Sequence, residues 1–123
     1  MNNWRVLVVE DDPDGQEVVG VMLRHHRIHA DIVFRAEEAL DLLSQNQYTL
    51  AVIDLSLPGM DGWTLLETIQ SNPQTAAMPC VAITAFHSAD VIIKAIQAGF
   101  IAYFPKPLEA TSFVRELEHL VPD

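Results

Sequence analysis

The chain has 123 residues, half of them hydrophobic, which suits one domain with a real core and leaves little room for a second. Seventeen acidic against seven basic residues give a formal charge of -10 at pH 7, which repels nucleic acid and anionic membrane over most of the surface. Direct DNA binding is therefore not expected, and proteins or cations are the expected partners.

Five apolar, β-branched runs, at residues 5–9, 30–34, 50–53, 80–83 and 102–104, read as strands. The first ends in Glu10-Asp11-Asp12, where Asp12 before Pro13 is placed to cap a helix with proline at its first position. Val18, Val19, Met22 and Leu23 then recur at helical spacing, as do Ala39, Leu40, Leu42 and Leu43 after the second run. Asn46 follows that second helix. The third run ends in Asp54, and Asp61-Gly62 reads as the cap of a third helix that Asn72-Pro73 ends. The fourth run leads into Thr84-Ala85 and a fourth helix closed by Gly99, and the fifth leads into Pro105-Lys106-Pro107. Runs one, three and four lack polar alternation, as central parallel strands covered on both faces do, so the pattern predicts a doubly wound, three-layer α/β sandwich. Pro105 places the fifth run on an edge, where its missing amide donor is tolerated. Neither a linker nor a low-complexity stretch interrupts the alternation, so residues 1–123 read as one domain.

No run of about 18 apolar residues and no leader-like start is present, so the protein is expected to be soluble, cytoplasmic and free of membrane. Cys80 is the sole cysteine, which excludes an internal disulfide, and its place before Val81-Ala82-Ile83 marks it as a buried thiol.

In an open parallel sheet, function collects at the carboxyl ends of the strands near the point where strand order reverses. There the sequence gathers Glu10, Asp11, Asp54, Thr84 and Lys106. Each alone has an ordinary reading as cap, strand threonine or surface lysine; four suitable types at four strand ends do not. Carboxylates held close together repel, so one must take a proton or a hard divalent cation must bind between them. Mg2+ prefers oxygen ligands and is typically held by one or two carboxylates with phosphate oxygens. Such a site would let Asp54 attack phosphorus, with Lys106 and Thr84 on the phosphoryl oxygens.

These residues resemble the receiver domains of bacterial-type two-component response regulators, over about residues 5–121. The family carries an acidic pair after strand one, a phosphorylated aspartate after strand three, Thr or Ser after strand four, an aromatic in strand five and a following Lys-Pro. Here they stand as Glu10-Asp11, Asp54, Thr84, Tyr103 and Lys106-Pro107, with the similar loop Leu57-Pro58-Gly59-Met60-Asp61-Gly62 and Ala98-Gly99 before strand five. The resemblance implies a five-stranded (βα)5 flavodoxin-like fold with strand order 2-1-3-4-5. It implies Asp54 as phosphoacceptor, and Asp11 and Asp54 as direct ligands of Mg2+ or Mn2+, with Glu10 acting largely through water and the backbone carbonyl of Ser56 completing the set. Thr84, Ala85, Tyr103 and Lys106 become the phosphoryl-binding and switch residues, and the Lys106–Pro107 peptide is expected to be cis. Phe86, Ile101-Ala102 and Pro105 depart from the common pattern without touching this constellation.

The function implied is phosphorelay signalling. Asp54 takes a phosphoryl group from a sensor histidine kinase or a phosphotransfer protein, and the chain then switches a protein output. It acts on itself rather than turning over external substrates. Helix four, with Ile92 and Ile96, and the adjoining Phe100 and Ile101 are apolar on more sides than a sheet-packing stripe uses. They predict a docking face formed by helix four, strand five and helix five, for an output domain, a partner protein or a second copy.

Other readings are weaker. Phosphohydrolases that form the same aspartyl phosphate use Asp-x-Asp, and Ser56 stands where their second Asp would be. Neither glycine-rich nucleotide motif occurs. A receiver that had lost phosphorylation would be expected to lack Asp11, Asp54 or Lys106, and all are present. His25, His26 and His29 lack nearby acidic or Cys ligands and read as a surface cluster at a helix end, while His87 and His119 are isolated. Trp4 and Trp63 have no interleaved basic stretch, so no nucleic-acid stacking platform is expected.

Overall fold

The alternation is realised as five parallel strands and five helices in a computed structural model that describes residues 3–86 and 88–121. His87 lies outside the described residues. In chain order the elements are β1 (Arg5–Val9), α1 (Pro13–His25), β2 (His29–Val33), α2 (Ala36–Leu43), β3 (Leu50–Asp54), α3 (Gly62–Ser71), β4 (Cys80–Thr84), α4 (Ala89–Ala98), β5 (Ala102–Pro105) and α5 (Ala110–Leu120). The strand order is β2-β1-β3-β4-β5, so the unalternated runs are central and β5, with Pro105, is an edge.

Several strand boundaries differ from the sequence reading. β2 starts at His29 and omits Phe34, because it pairs with β1 residue for residue from Arg5↔His29 to Val9↔Val33. β3 and β4 each run one residue further than expected, so Asp54 and Thr84 are the last residues of their strands.

Strand side chains alternate between two cores. Leu7, Val9, Ala51, Ile53 and Ala82 point to the face covered by α2, α3 and α4. Val6, Val8, Val52, Val81 and Ile83 point to the face covered by α1 and α5. Each fully buried Leu, Ile or Val contributes roughly 1.5–3 kcal/mol against conformational entropy. A strand slipped by one residue would exchange the two faces, so the register that fixes the core also fixes the strand ends.

The helix ends are set by the signals in the sequence. Asp12 Oδ1 accepts from Asp14 N at 3.2 Å, and Asp61 Oδ1 accepts from Thr64 N at 2.8 Å. α4 closes in a Schellman turn: Gly99 has φ 118°, its N–H bonds Ile96 O, and Phe100 N bonds Ala95 O, both at 3.1 Å. That turn overturns one expectation. Phe100 is only 2% exposed, folded inward with its ring edge-on to Trp63 at 6.0 Å, so it is core and no part of a docking face. Ile92, Ile93, Ile96 and Ile101 do stand exposed, as the surplus of apolar residues on α4 requires. Among the described residues no helix is long and apolar enough to cross a membrane.

Candidate functional site

Three polar side chains are buried where the central strands end: Glu10 after β1, Asp54 at the end of β3 and Thr84 at the end of β4. Burial of ionisable groups is costly unless they are paired, and here the partner arrives from the edge strand. Lys106, just beyond β5, places its Nζ 2.8 Å from Asp54 Oδ2 and 2.5 Å from Glu10 Oε1. Its backbone N–H donates to Thr84 O at 2.9 Å, which fixes the root of the side chain beside β4. The following Lys106–Pro107 peptide is cis.

Asp54 is held from both sides, since Ser56 N–H donates to its Oδ1 at 2.9 Å. Burial alone would raise its pKa, but the neighbouring Glu10 carboxyl, the Lys106 ammonium and the Ser56 amide outweigh it and hold Asp54 below the usual carboxylate range. Glu10 goes the other way. Its burial, with the Asp54 carboxyl beside it, pushes the group up to about 7 despite Lys106. Lys106 is also partly buried, which would lower it, yet its two carboxylate partners raise it and keep the ammonium charged.

Carboxylate oxygens of Glu10, Asp11 and Asp54 all lie within 4.8 Å of one another. Among the described residues, Lys106 is the one ammonium in contact with Glu10 and Asp54, and Glu10 Oε2 is buried with no hydrogen-bond partner. Three converging carboxylates with an orphaned oxygen are the donor set that a hard divalent cation satisfies. The residues present therefore fit such an ion.

Thr84 Oγ1 accepts from Phe86 N at 3.0 Å, which leaves its own O–H to donate. Phe86 itself extends its ring into solvent, 72% exposed. Ala85, Glu10 and Lys106 line one pocket of about 370 Å3, walled by Val18, Val19 and Leu108. Tyr103 is half-buried against the α2/α3/α4 core, and its hydroxyl is buried without a partner.

The sequence reading missed two residues of the site. Gln16 Nε2 donates to Glu10 O at 2.8 Å and ties α1 to the end of β1. Gly15 leaves the space in which the Glu10 carboxyl lies. A glycine inside a predicted helix costs about 1 kcal/mol against alanine, and that cost was the available signal.

The parallel sheet ordered 2-1-3-4-5, with an acidic cluster, a buried Thr and a Lys at its carboxyl edge, is the architecture of a signalling receiver. Residues 6–118 match the response regulator receiver domain, and the chain belongs to that family. Over 110 residues it is 32% identical to an uncharacterized 14.6 kDa protein in the sodA1 3' region of Leptolyngbya boryana, covering 89% of this chain and 84% of that one. It is 33% identical over 103 residues to the transcriptional regulatory protein HprR of Escherichia coli K12, covering 84% of this chain but only 45% of HprR. Among solved structures, the receiver domain of sensor histidine kinase PA1611 from Pseudomonas aeruginosa superposes with a TM-score of 0.89 at 26% identity, over 98% of each chain. That structure has a magnesium ion coordinated in its active site cleft.

Proposed function

We propose that this chain is a receiver domain spanning residues 1–123, working in the cytoplasm, in which Asp54 accepts a phosphoryl group in a Mg2+-dependent reaction. The observation that carries this reading is Asp54 itself, 3% exposed yet held anionic between the Ser56 amide and the Lys106 ammonium. A buried carboxylate kept charged is a nucleophile. The donor is a phosphohistidine of a sensor kinase or phosphotransfer protein. A carboxylate oxygen of Asp54 forms a bond to phosphorus as the phosphorus–nitrogen bond breaks, and the imidazole leaves with that electron pair.

Asp11 and Asp54 would hold Mg2+, or Mn2+, with the Ser56 carbonyl, and Glu10 would act largely through water. Bound there, the ion neutralises charge on the transferring group. Lys106 moves from pairing two carboxylates to pairing the phosphoryl oxygens, and the Thr84 O–H and the backbone at Ala85 donate to them. The product carries a charge near -2. Thr84 responds to it, and Tyr103, on the neighbouring edge strand, repacks with it. Taking a domain from about 1% to 99% active needs roughly 5.5 kcal/mol, of which two charge-assisted contacts supply part. The exposed Ile92, Ile96 and Ile101 form the face that reads out the change, against an output domain, a partner protein or a second copy.

The test is to incubate the protein with Mg2+ and acetyl phosphate and locate the label by mass spectrometry. The reading expects label on Asp54 alone, lost in Asp54→Asn and in the presence of a chelator. Label elsewhere, or undiminished label in Asp54→Asn, would overturn it.

A further inference from the structure

Gly15 sits in the first turn of α1, over the buried carboxyl of Glu10. A Cβ built on it would stand 2.1 Å from Glu10 Oε1 and 2.8 Å from Glu10 Cδ. Glycine is not needed there for the backbone, because the positive-φ glycines are Gly59 and Gly99. What it supplies is space.

The surroundings decide what would yield if that space were filled. Glu10 N donates to Val33 O at 3.0 Å, and Gln16 Nε2 donates to Glu10 O at 2.8 Å, so the backbone of Glu10 is tied on both sides. The start of α1 is tied as well, by the Asp12 cap and by Gln16 N on Asp12 O at 2.9 Å. A side chain at position 15 would therefore displace the flexible carboxyl rather than the strand or helix. That carboxyl is enclosed by Lys106, 2.5 Å from its Oε1, and by Asp54, so displacement drives it out of its contact with the ammonium.

We propose that Gly15 is a positioning residue. The missing side chain in the first turn of α1 lets a glutamate, one methylene longer than an aspartate, seat its carboxyl beneath the helix with Oε1 on Lys106 and within reach of Asp11 and Asp54. Gly15 and Glu10 act as a matched pair. Their consequence for cation binding rests on the reading that the acidic cluster holds Mg2+.

The experiment is a double-mutant cycle with Mg2+ titrated calorimetrically into the wild type, Gly15→Ala, Glu10→Asp and the double variant. Gly15→Ala is expected to weaken Mg2+ binding about tenfold in the Glu10 background, the scale of disturbing a ligand's support. In the Glu10→Asp background the same change should alter affinity by less than about twofold, since the shorter acid no longer reaches the new methyl. Equal losses in both backgrounds, or none in either, would overturn the proposal. A metal-free readout accompanies it: the 13Cδ resonance of Glu10 and the Nζ resonance of Lys106 should both move in Gly15→Ala. Unmoved resonances would also overturn it. If the wild type bound no Mg2+, the metal reading would fall, and these resonances would still decide whether Gly15 positions Glu10.

Discussion

Lys106 Nζ lies 2.8 Å from Asp54 Oδ2, an ion pair formed between residues 52 positions apart in the chain. The same ammonium serves Glu10, so one cation offsets two buried carboxylates. Its removal should be felt most where both acids are ionised.

Lys106→Met leaves Glu10 and Asp54 facing one another without a counter-charge. Stripping a buried pair of one partner costs about 3 kcal/mol or more. The metal-free variant should therefore lose about that much stability at pH 8 in urea denaturation, and less at pH 6, where Glu10 can take up a proton. Added Mg2+ should restore part of the loss. An equal loss at both pH values would mean that the contribution of the ammonium does not depend on the ionisation of Glu10.

Glu10 gives the metal-free protein a pH dependence of defined sign. Its folded pKa, about 7, lies above the unfolded value of 4.5, so between these limits the folded chain holds a proton that the unfolded chain has released. Stability is then fully present below pH 4.5 and falls as pH rises through 7, by up to about 3 kcal/mol. Asp54 and Asp31, both held low, act oppositely, and their contributions are lost only as pH falls below the usual carboxylate range. Lys106, raised, stays charged throughout this window. Urea midpoints from pH 5 to pH 8 in chelator should decline, and Glu10→Gln should flatten the curve. A flat wild-type curve would show that Glu10 ionises normally.

Tyr103→Phe removes a hydroxyl that is buried with no partner. Deleting an unsatisfied group recovers about 1 kcal/mol of desolvation, which corresponds to a thermal midpoint higher by roughly 4 °C in a domain of this size. Calorimetry of the two proteins measures it. A lower midpoint would mean that the hydroxyl has a partner in solution.

The parts of this molecule that were legible in its sequence are those in which one residue's chemistry dictates its place. Val6, Leu7, Val8 and Val9 can only be a strand covered on both faces, and an acid following such a run must sit at a sheet mouth. Asp12, Asp61 and Gly99 announce helix ends by the same local logic. What was hidden depends on packing between distant residues. Phe100 reads the same whether it lies on a surface or beneath α3, and the Schellman turn at Gly99 decides between them. Arg5, Asp31 and Tyr48 form a network across β1, β2 and the loop before β3, with Arg5 Nη2 3.0 Å and Tyr48 Oη 2.6 Å from Asp31. No spacing in the sequence announces it, because it exists only once β2 has paired with β1. The role of Gly15 depends on the rotamer of Glu10, which is a property of the folded site.

The proposed output face lies on α4 and beside β5. Of α4 only Ala95 is buried, while Ile92, Ile93 and Ile96 stand 40%, 54% and 50% exposed, with Ile101 at 41% beside them. Exposed isoleucines so grouped lose apolar hydration when another surface covers them, each worth up to roughly 1.5–3 kcal/mol if fully buried. α4 begins just past Thr84, and Ile101 lies next to β5, which carries Tyr103, so a change at Asp54 would have a short path to this face. Ile96→Asp and Ile101→Asp each place a charge where burial would require desolvating it. Neither side chain touches the acidic cluster, so labelling of Asp54 by acetyl phosphate should be unchanged in both variants. Association that appears on phosphorylation, followed by sedimentation velocity, should weaken at least tenfold, since 1.4 kcal/mol already corresponds to that factor. Association that survives both substitutions, or a chain that remains monomeric and captures no output domain in either state, would remove this face from the signalling path.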